Sequence, residues 1–162
     1  MTRTYTISTK IKMVTTRRLS QTKLDIQKNW LIEALPGLNP EDCQKLKECG
    51  IETTLELCQR TRKRSSRHDL ATQIQISIRD ITKWGAMSDL SRVPSVGCQY
   101  CELLLQVGTY SVRQLAQVSW HDLRKRVSRF QITTTQQPKL SLDPELMAQW
   151  IQEARQLISK DN

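Results

Sequence analysis

The sequence predicts an all-α fold, and two observations carry that prediction. The stretch Leu35-Pro36-Gly37-Leu38 returns 58 residues later as Val93-Pro94-Ser95-Val96. The correspondence continues from Cys43 to Cys101, Leu46 to Leu104, Gly50 to Gly108, Thr53 to Ser111 and Leu57 to Leu115, with Ile32 and Leu90 matching upstream. A period of this kind marks a repeated supersecondary unit. Both copies also carry the same punctuation. A glycine, suited to the left-handed residue just beyond a helix end, is followed by Thr53-x-x-Glu56 in one copy and Ser111-x-x-Gln114 in the other. Each reads as a capping box, in which the hydroxyl takes one free backbone N–H and the Glu or Gln side chain reaches back to another. Each unit is therefore helix, tight turn, helix, glycine stop, capped helix. Glycine and proline number only five each and strand-like alternation is scarce, which leaves little room for sheet.

The domain proper is expected over residues 25–162, with units at about 25–62 and 87–130. Leu24, Ile26, Trp30, Leu31 and Ala34 fall at near-helical spacing and predict a first helix over 25–34, ending at the Pro36 turn. Asn39 caps a second helix, with Pro40 in its first turn, that runs to about Cys49. Thr53 opens a third, to about Thr61. Ser65 or Ser66 caps a connecting helix over about 66–85. Leu70, Ile74, Ile76, Ile78, Ile81 and Trp84 form its broad apolar face, and it weakens at Gly85. In the second unit, helices are expected near 98–107 and 112–117, and Ser119-x-x-Asp122 starts another. Residues 131–142, with Pro138, read as irregular. A cap at Asp143 followed by Pro144 opens a C-terminal helix over about 143–159. Its stripe of Met147, Trp150, Ile151, Ala154, Leu157 and Ile158 reads as core.

At 162 residues the chain is long enough for one domain with a real core. No apolar run approaches the roughly 18 residues that would span a bilayer, and no signal-peptide core is present, so a soluble, cytoplasmic protein is expected. The formal charge is +9, but Arg3, Lys10, Lys12, Arg17, Arg18 and Lys23 place +6 of it in residues 1–24, which hold no acid. That segment reads as a disordered basic extension. A nucleic-acid-contacting arm, a targeting segment and an upstream start-site extension, with Met13 as the later start, are its alternatives. Little imbalance is left to make the domain itself strongly basic.

Val93-Pro94-Ser95-Val96-Gly97-Cys98-Gln99-Tyr100-Cys101-Glu102-Leu103-Leu104 and the matching run from Leu35 to Leu46 resemble the helix-hairpin-helix family pattern, apolar-x-Gly-apolar-Gly-x-x-x-Ala-x-x-Leu. The doubled arrangement resembles the tandem helix-hairpin-helix domain. More closely, residues 25–158 are similar to an uncharacterised cyanobacterial family of such domains. The resemblance implies two helix-hairpin-helix units joined by a connecting helix and closed by a C-terminal helix. It also implies DNA binding without sequence specificity. In that family, backbone N–H groups of the turn and the N-terminus of its second helix hold a phosphate, and glycines let it approach with no Cβ in the way.

This sequence keeps one glycine per copy, Gly37 and Gly97. Asn39 tolerates the left-handed region and can replace a glycine there. Glu41 and Asp42 sit where the first phosphate would lie and would repel it, whereas Cys98, Gln99 and Tyr100 are neutral. The second hairpin, Ser95, Val96, Gly97, Cys98 and Gln99, is therefore the expected phosphate site, and Gly37 with Asn39 marks a weaker one.

Two basic clusters add candidate phosphate contacts: Arg62, Lys63, Arg64 and Arg67, and then Arg124, Lys125, Arg126 with Arg129, extended by Arg113. Each cluster also reads as a solvated helix face. The expected partner is nucleic acid, duplex DNA first. The alternative is a protein partner, for a module that kept the fold but not the phosphate chemistry. Cys98-x-x-Cys101 lacks the second close pair that a zinc site wants. Cys43 and Cys101 fall on the pattern's small position and are expected buried. No metal or other cofactor is expected. His68 and His121 lie in no catalytic motif, so no catalytic residue is assigned and an enzyme is not expected. Tyr100 and Tyr110 read as packing residues, with partner contacts as the alternative, and Trp120 reads as core.

Overall fold

Helix boundaries in this chain follow local capping chemistry. A computed structural model describes residues 27–133 and 142–161, so the basic extension, Leu24, Ile26 and Pro138 lie outside the described residues. Among the described residues there are eight α-helices, one short 3-10 turn at Ile32–Ala34, and no strand. The helices are α1 (Pro40–Glu48), α2 (Thr54–Arg60), α3 (Arg64–Ile74), α4 (Ile78–Leu90), α5 (Gly97–Gln106), α6 (Val112–Gln117), α7 (Trp120–Thr133) and α8 (Pro144–Asp161). No helix among the described residues is long and apolar enough to cross a membrane.

The punctuation of the repeat is realised in both copies. After α1, the Gly50 N–H donates to the Lys47 carbonyl (2.9 Å) and the Ile51 N–H to the Leu46 carbonyl (3.0 Å). After α5, Gly108 donates to Leu105 (3.1 Å) and Thr109 to Leu104 (2.9 Å). Gly50 at φ 77° and Gly108 at φ 83° are left-handed, as this end motif requires. Thr53 accepts from the Glu56 N–H at 3.3 Å, and the Glu56 carboxylate accepts from the Thr53 N–H at 2.9 Å, a complete box. In the second copy Ser111 accepts from the Gln114 N–H (3.1 Å), but Gln114 reaches one residue further back, to the Tyr110 N–H (2.7 Å). Cys43 and Cys101, and Leu46 and Leu104, are buried at equivalent places.

Three expectations are corrected. Residues 27–31 are not helical. They run extended because their backbone partners are distant in sequence: the Lys28 N–H donates to the Arg92 carbonyl (2.8 Å), the Trp30 N–H to Thr54 Oγ1 (3.1 Å), and the Thr54 N–H to the Trp30 carbonyl (2.9 Å). Leu31 forms an isolated antiparallel bridge with Thr53. The connecting helix over 66–85 is two helices, α3 and α4. Gln75 is left-handed at φ 55° and ends α3, and Ser77 caps α4 by accepting from the Asp80 N–H at 3.1 Å. Neither Ser65 nor Ser66 caps α3, which begins at Arg64 after Lys63.

Gly85 does not weaken α4, which continues to Leu90. Its role is close approach. A Cβ there would lie 2.5 Å from Thr61 Oγ1 and 2.9 Å from Thr61 Cβ. Thr61 is buried and its hydroxyl donates to the Leu57 carbonyl at 2.7 Å, so turning it away from the new Cβ breaks that bond. Helix propensity favours Gly85→Ala by about 1 kcal/mol, whereas overpacking at this contact costs more. We expect a net loss of about 1 to 2 kcal/mol in urea unfolding; a net gain would mean that α2 and α4 separate freely.

One continuous core takes Leu35, Leu46 and Leu57 from the first unit, Leu90, Leu104 and Leu115 from the second, and Trp150, Ala154 and Leu157 from α8. The units therefore fold around a shared interior. α8 packs chiefly on α6 and then α7. Arg155 of α8 donates to the Ala116 carbonyl near the end of α6 (3.0 Å).

Candidate functional site

The two hairpins place their single glycines differently. Gly37 is left-handed at φ 78°, while its neighbour Asn39 lies at φ −85°. Asn39 is thus not a glycine substitute. It caps α1, its side chain accepting from the Asp42 N–H at 2.7 Å. Glu41 pairs with Lys45 at 3.0 Å. In the second copy the left-handed residue is Gly97, φ 51°, two repeat positions later.

The second hairpin is folded inward. The Val93 carbonyl accepts from the N–H groups of Val96 (3.1 Å) and Gly97 (3.0 Å). Ser95 donates its N–H (2.8 Å) and its hydroxyl (2.7 Å) to the Glu153 carboxylate of α8. The Ser95 carbonyl accepts from the Trp150 indole at 3.0 Å. Gly97 is buried, and a Cβ there would lie 2.9 Å from the Trp30 ring. The turn binds an anion, as its geometry suits, but that anion is the domain's own carboxylate. A phosphate at Ser95 has to displace Glu153.

Cys98 and Cys101 are free thiols, and burial pushes them up to about 11 and about 12 respectively. Both therefore hold their protons near neutrality as free thiols, and the thiol is a weaker nucleophile than the thiolate. Cys58 is likewise pushed up to about 11, first by burial and then by nearby Asp89.

A charged depression lies elsewhere. A cleft of about 1070 Å³ is lined by Arg62, Arg67, Arg79, Lys83, Arg92 and Arg113. The acids lining it are Asp89 and Asp161, and both pair with Arg92, at 2.9 and 3.3 Å. Lys83 faces Glu102 at 3.4 Å. Among the described residues, Arg62, Arg67, Arg79 and Arg113 take part in no ion pair. The net field of the cleft is positive, set by these four side chains. Tyr110 lines it too and is 55% exposed.

The structure divides the residues singled out in the sequence. Arg62 and Arg67 reach the cleft; Lys63 and Arg64, at the start of α3, are exposed outside its lining. Arg124 and Lys125, with Arg129, line a second, shallower depression of about 530 Å³, and Arg126 is exposed beside it. Arg124 lies 5.6 Å over the half-buried Trp120 ring. Residues 94–99 line neither depression. Arg79 and Lys83, which sequence reasoning missed, are four residues apart on α4. The signal that could have found them is Ser77-x-x-Asp80, the same start pattern as Ser119-x-x-Asp122, which sets where α4 begins.

A family model matches residues 36–157, from the Pro36 turn to Leu157 on α8. The chain belongs to that family, Domain of unknown function (DUF4332). The matched span of this DUF4332 chain covers both units and most of α8, in agreement with their common core. No curated protein and no solved structure matches the chain.

Proposed function

We propose that this chain is a non-catalytic, cytoplasmic module of the tandem helix-hairpin-helix type, binding nucleic acid without sequence specificity. The observation that carries the reading is the cleft with four arginines that take part in no ion pair among the described residues. Uncompensated guanidinium groups around one concavity attract phosphates by charge and by paired N–H geometry. Contacts of that kind position a backbone without reading bases. The cleft, rather than the second hairpin, is the binding surface, because Glu153 already holds Ser95. Lys63 and Arg64 add charge outside it.

The test is fluorescence anisotropy of a labelled oligonucleotide with the full chain across a salt series. Arg67→Glu/Arg113→Glu is compared with Arg17→Glu/Arg18→Glu, which changes net charge equally. The cleft pair is expected to lose about tenfold or more in affinity, with a shallower salt slope, and the extension pair much less. Equal losses would sink the cleft as the site.

The second reading is a protein-interaction module. It is favoured by the same Glu153 lock, which leaves the hairpin closed, and by Ile132 standing 80% exposed on α7. Salt-insensitive capture of a protein partner, without oligonucleotide binding, would support it.

A further inference from the structure

We infer that the cleft accepts a single nucleic-acid strand rather than a duplex, with Tyr110 as the surface on which a base stacks. The inference rests on the nucleic-acid reading above and narrows it. Three features point to it. The first is shape: the charges line a concavity of about 1070 Å³, the size of a small-ligand pocket. A duplex is stiff over about 150 base pairs and presents its phosphates on a convex surface, so it meets only the rim. A single strand bends, and its phosphates can enter.

The second feature is Tyr110. A purely electrostatic site needs no aromatic ring, yet this one is 55% exposed and lines the charged cleft. Its backbone is held from both sides: Gly108 terminates α5 just before it, and Gln114 accepts its N–H at 2.7 Å. Among the described residues its ring belongs to no aromatic pair, whereas the Tyr100 ring lies tilted at 45° against Trp150, with centroids 5.0 Å apart. An exposed ring beside cations, on backbone that is held, suits stacking of unpaired bases without regard to sequence.

The third feature is the disposition of charge. Arg113 lies three residues beyond Tyr110, whereas Arg62 stands at the end of the first unit and Arg67 on α3. Asp89 and Asp161 share the single charge of Arg92, and the negative charge left on that trio is outweighed by Arg62, Arg67, Arg79 and Arg113 around the cleft.

The test measures binding of the full chain to a short mixed-sequence single strand, as DNA and as RNA, and to the matching duplex. The variants are Tyr110→Ala, Tyr110→Phe and Arg67→Glu/Arg113→Glu, with circular dichroism confirming the helical fold of each. The expected result is single-strand binding about tenfold or more tighter than duplex binding. Tyr110→Ala should lose about tenfold on the single strand alone, with an unchanged salt slope, and Tyr110→Phe should keep wild-type affinity. Equal or tighter duplex binding, or an inert Tyr110→Ala, overturns the single-strand inference while leaving the cleft in place. Indifference of every ligand to the arginine pair overturns the nucleic-acid reading itself.

Discussion

Replacing Gly97 with alanine is expected to lower the unfolding free energy by about 3 kcal/mol. Two costs combine. At φ 51° an L side chain is strained, and the new Cβ would lie 2.9 Å from Trp30 Cζ2. The ring cannot retreat cheaply. Its indole N–H donates to the Ser91 carbonyl at 3.0 Å, and its backbone is bonded in both directions to Thr54. Gly108→Ala provides the comparison: it is equally left-handed at φ 83°, but no atom lies within 4 Å of its Cβ position. It should therefore lose only about 1 kcal/mol, the conformational cost. Urea unfolding of the two variants checks this, and equal losses would show that Trp30 yields. A loss of nucleic-acid binding on substituting Gly97 accordingly reports unfolding, not a lost phosphate contact.

Asp89→Ala should cost a similar amount, about 3 kcal/mol. Asp89 holds three groups from different parts of the chain. Its carboxylate accepts from Arg92 (2.9 Å), from the Val112 N–H at the start of α6 (2.8 Å) and from the Cys58 thiol (3.7 Å). Arg92 is only 7% exposed, so without Asp89 a guanidinium is left buried with the more exposed Asp161 as its remaining acid. Removing both charges should be milder than the two losses added: Asp89→Ala/Arg92→Leu is expected to recover at least about 1 kcal/mol of coupling in a double-mutant cycle. Strict additivity would show that the two charges are not coupled. Asp89→Asn keeps an acceptor for Val112 and should lose less.

These two sites mark the boundary between what could be read from the sequence and what could not. Gly50, Gly108, Thr53 and Ser111 act on backbone within a few residues, so their roles were legible and hold in both copies. Cys43 and Cys101 were legible for a related reason, since the same register recurs at the same buried place. Residues 27–31 were misread because their hydrogen-bond partners, Thr54 and Arg92, are far along the chain and outweigh a helical spacing of apolar residues. Gly85 was misread as a weak point because only the approach of Thr61 explains it.

The candidate site divides in the same way. The basic residues Arg62 and Arg67 stand out in the sequence by simple clustering. Their convergence with Arg79 and Arg113 depends on how α3, α4 and α6 pack, which no local pattern encodes. The repeated units, their helix stops and caps, and the all-α class follow from the order of residues alone, because these rest on interactions spanning three to five residues. That Glu153 fills the second hairpin, and that arginines with no ion pair among the described residues surround one cleft, depends on how the helices pack. Both outcomes arise from side chains on separate helices brought together by a shared core, and burial of that core, not local propensity, sets where those helices lie.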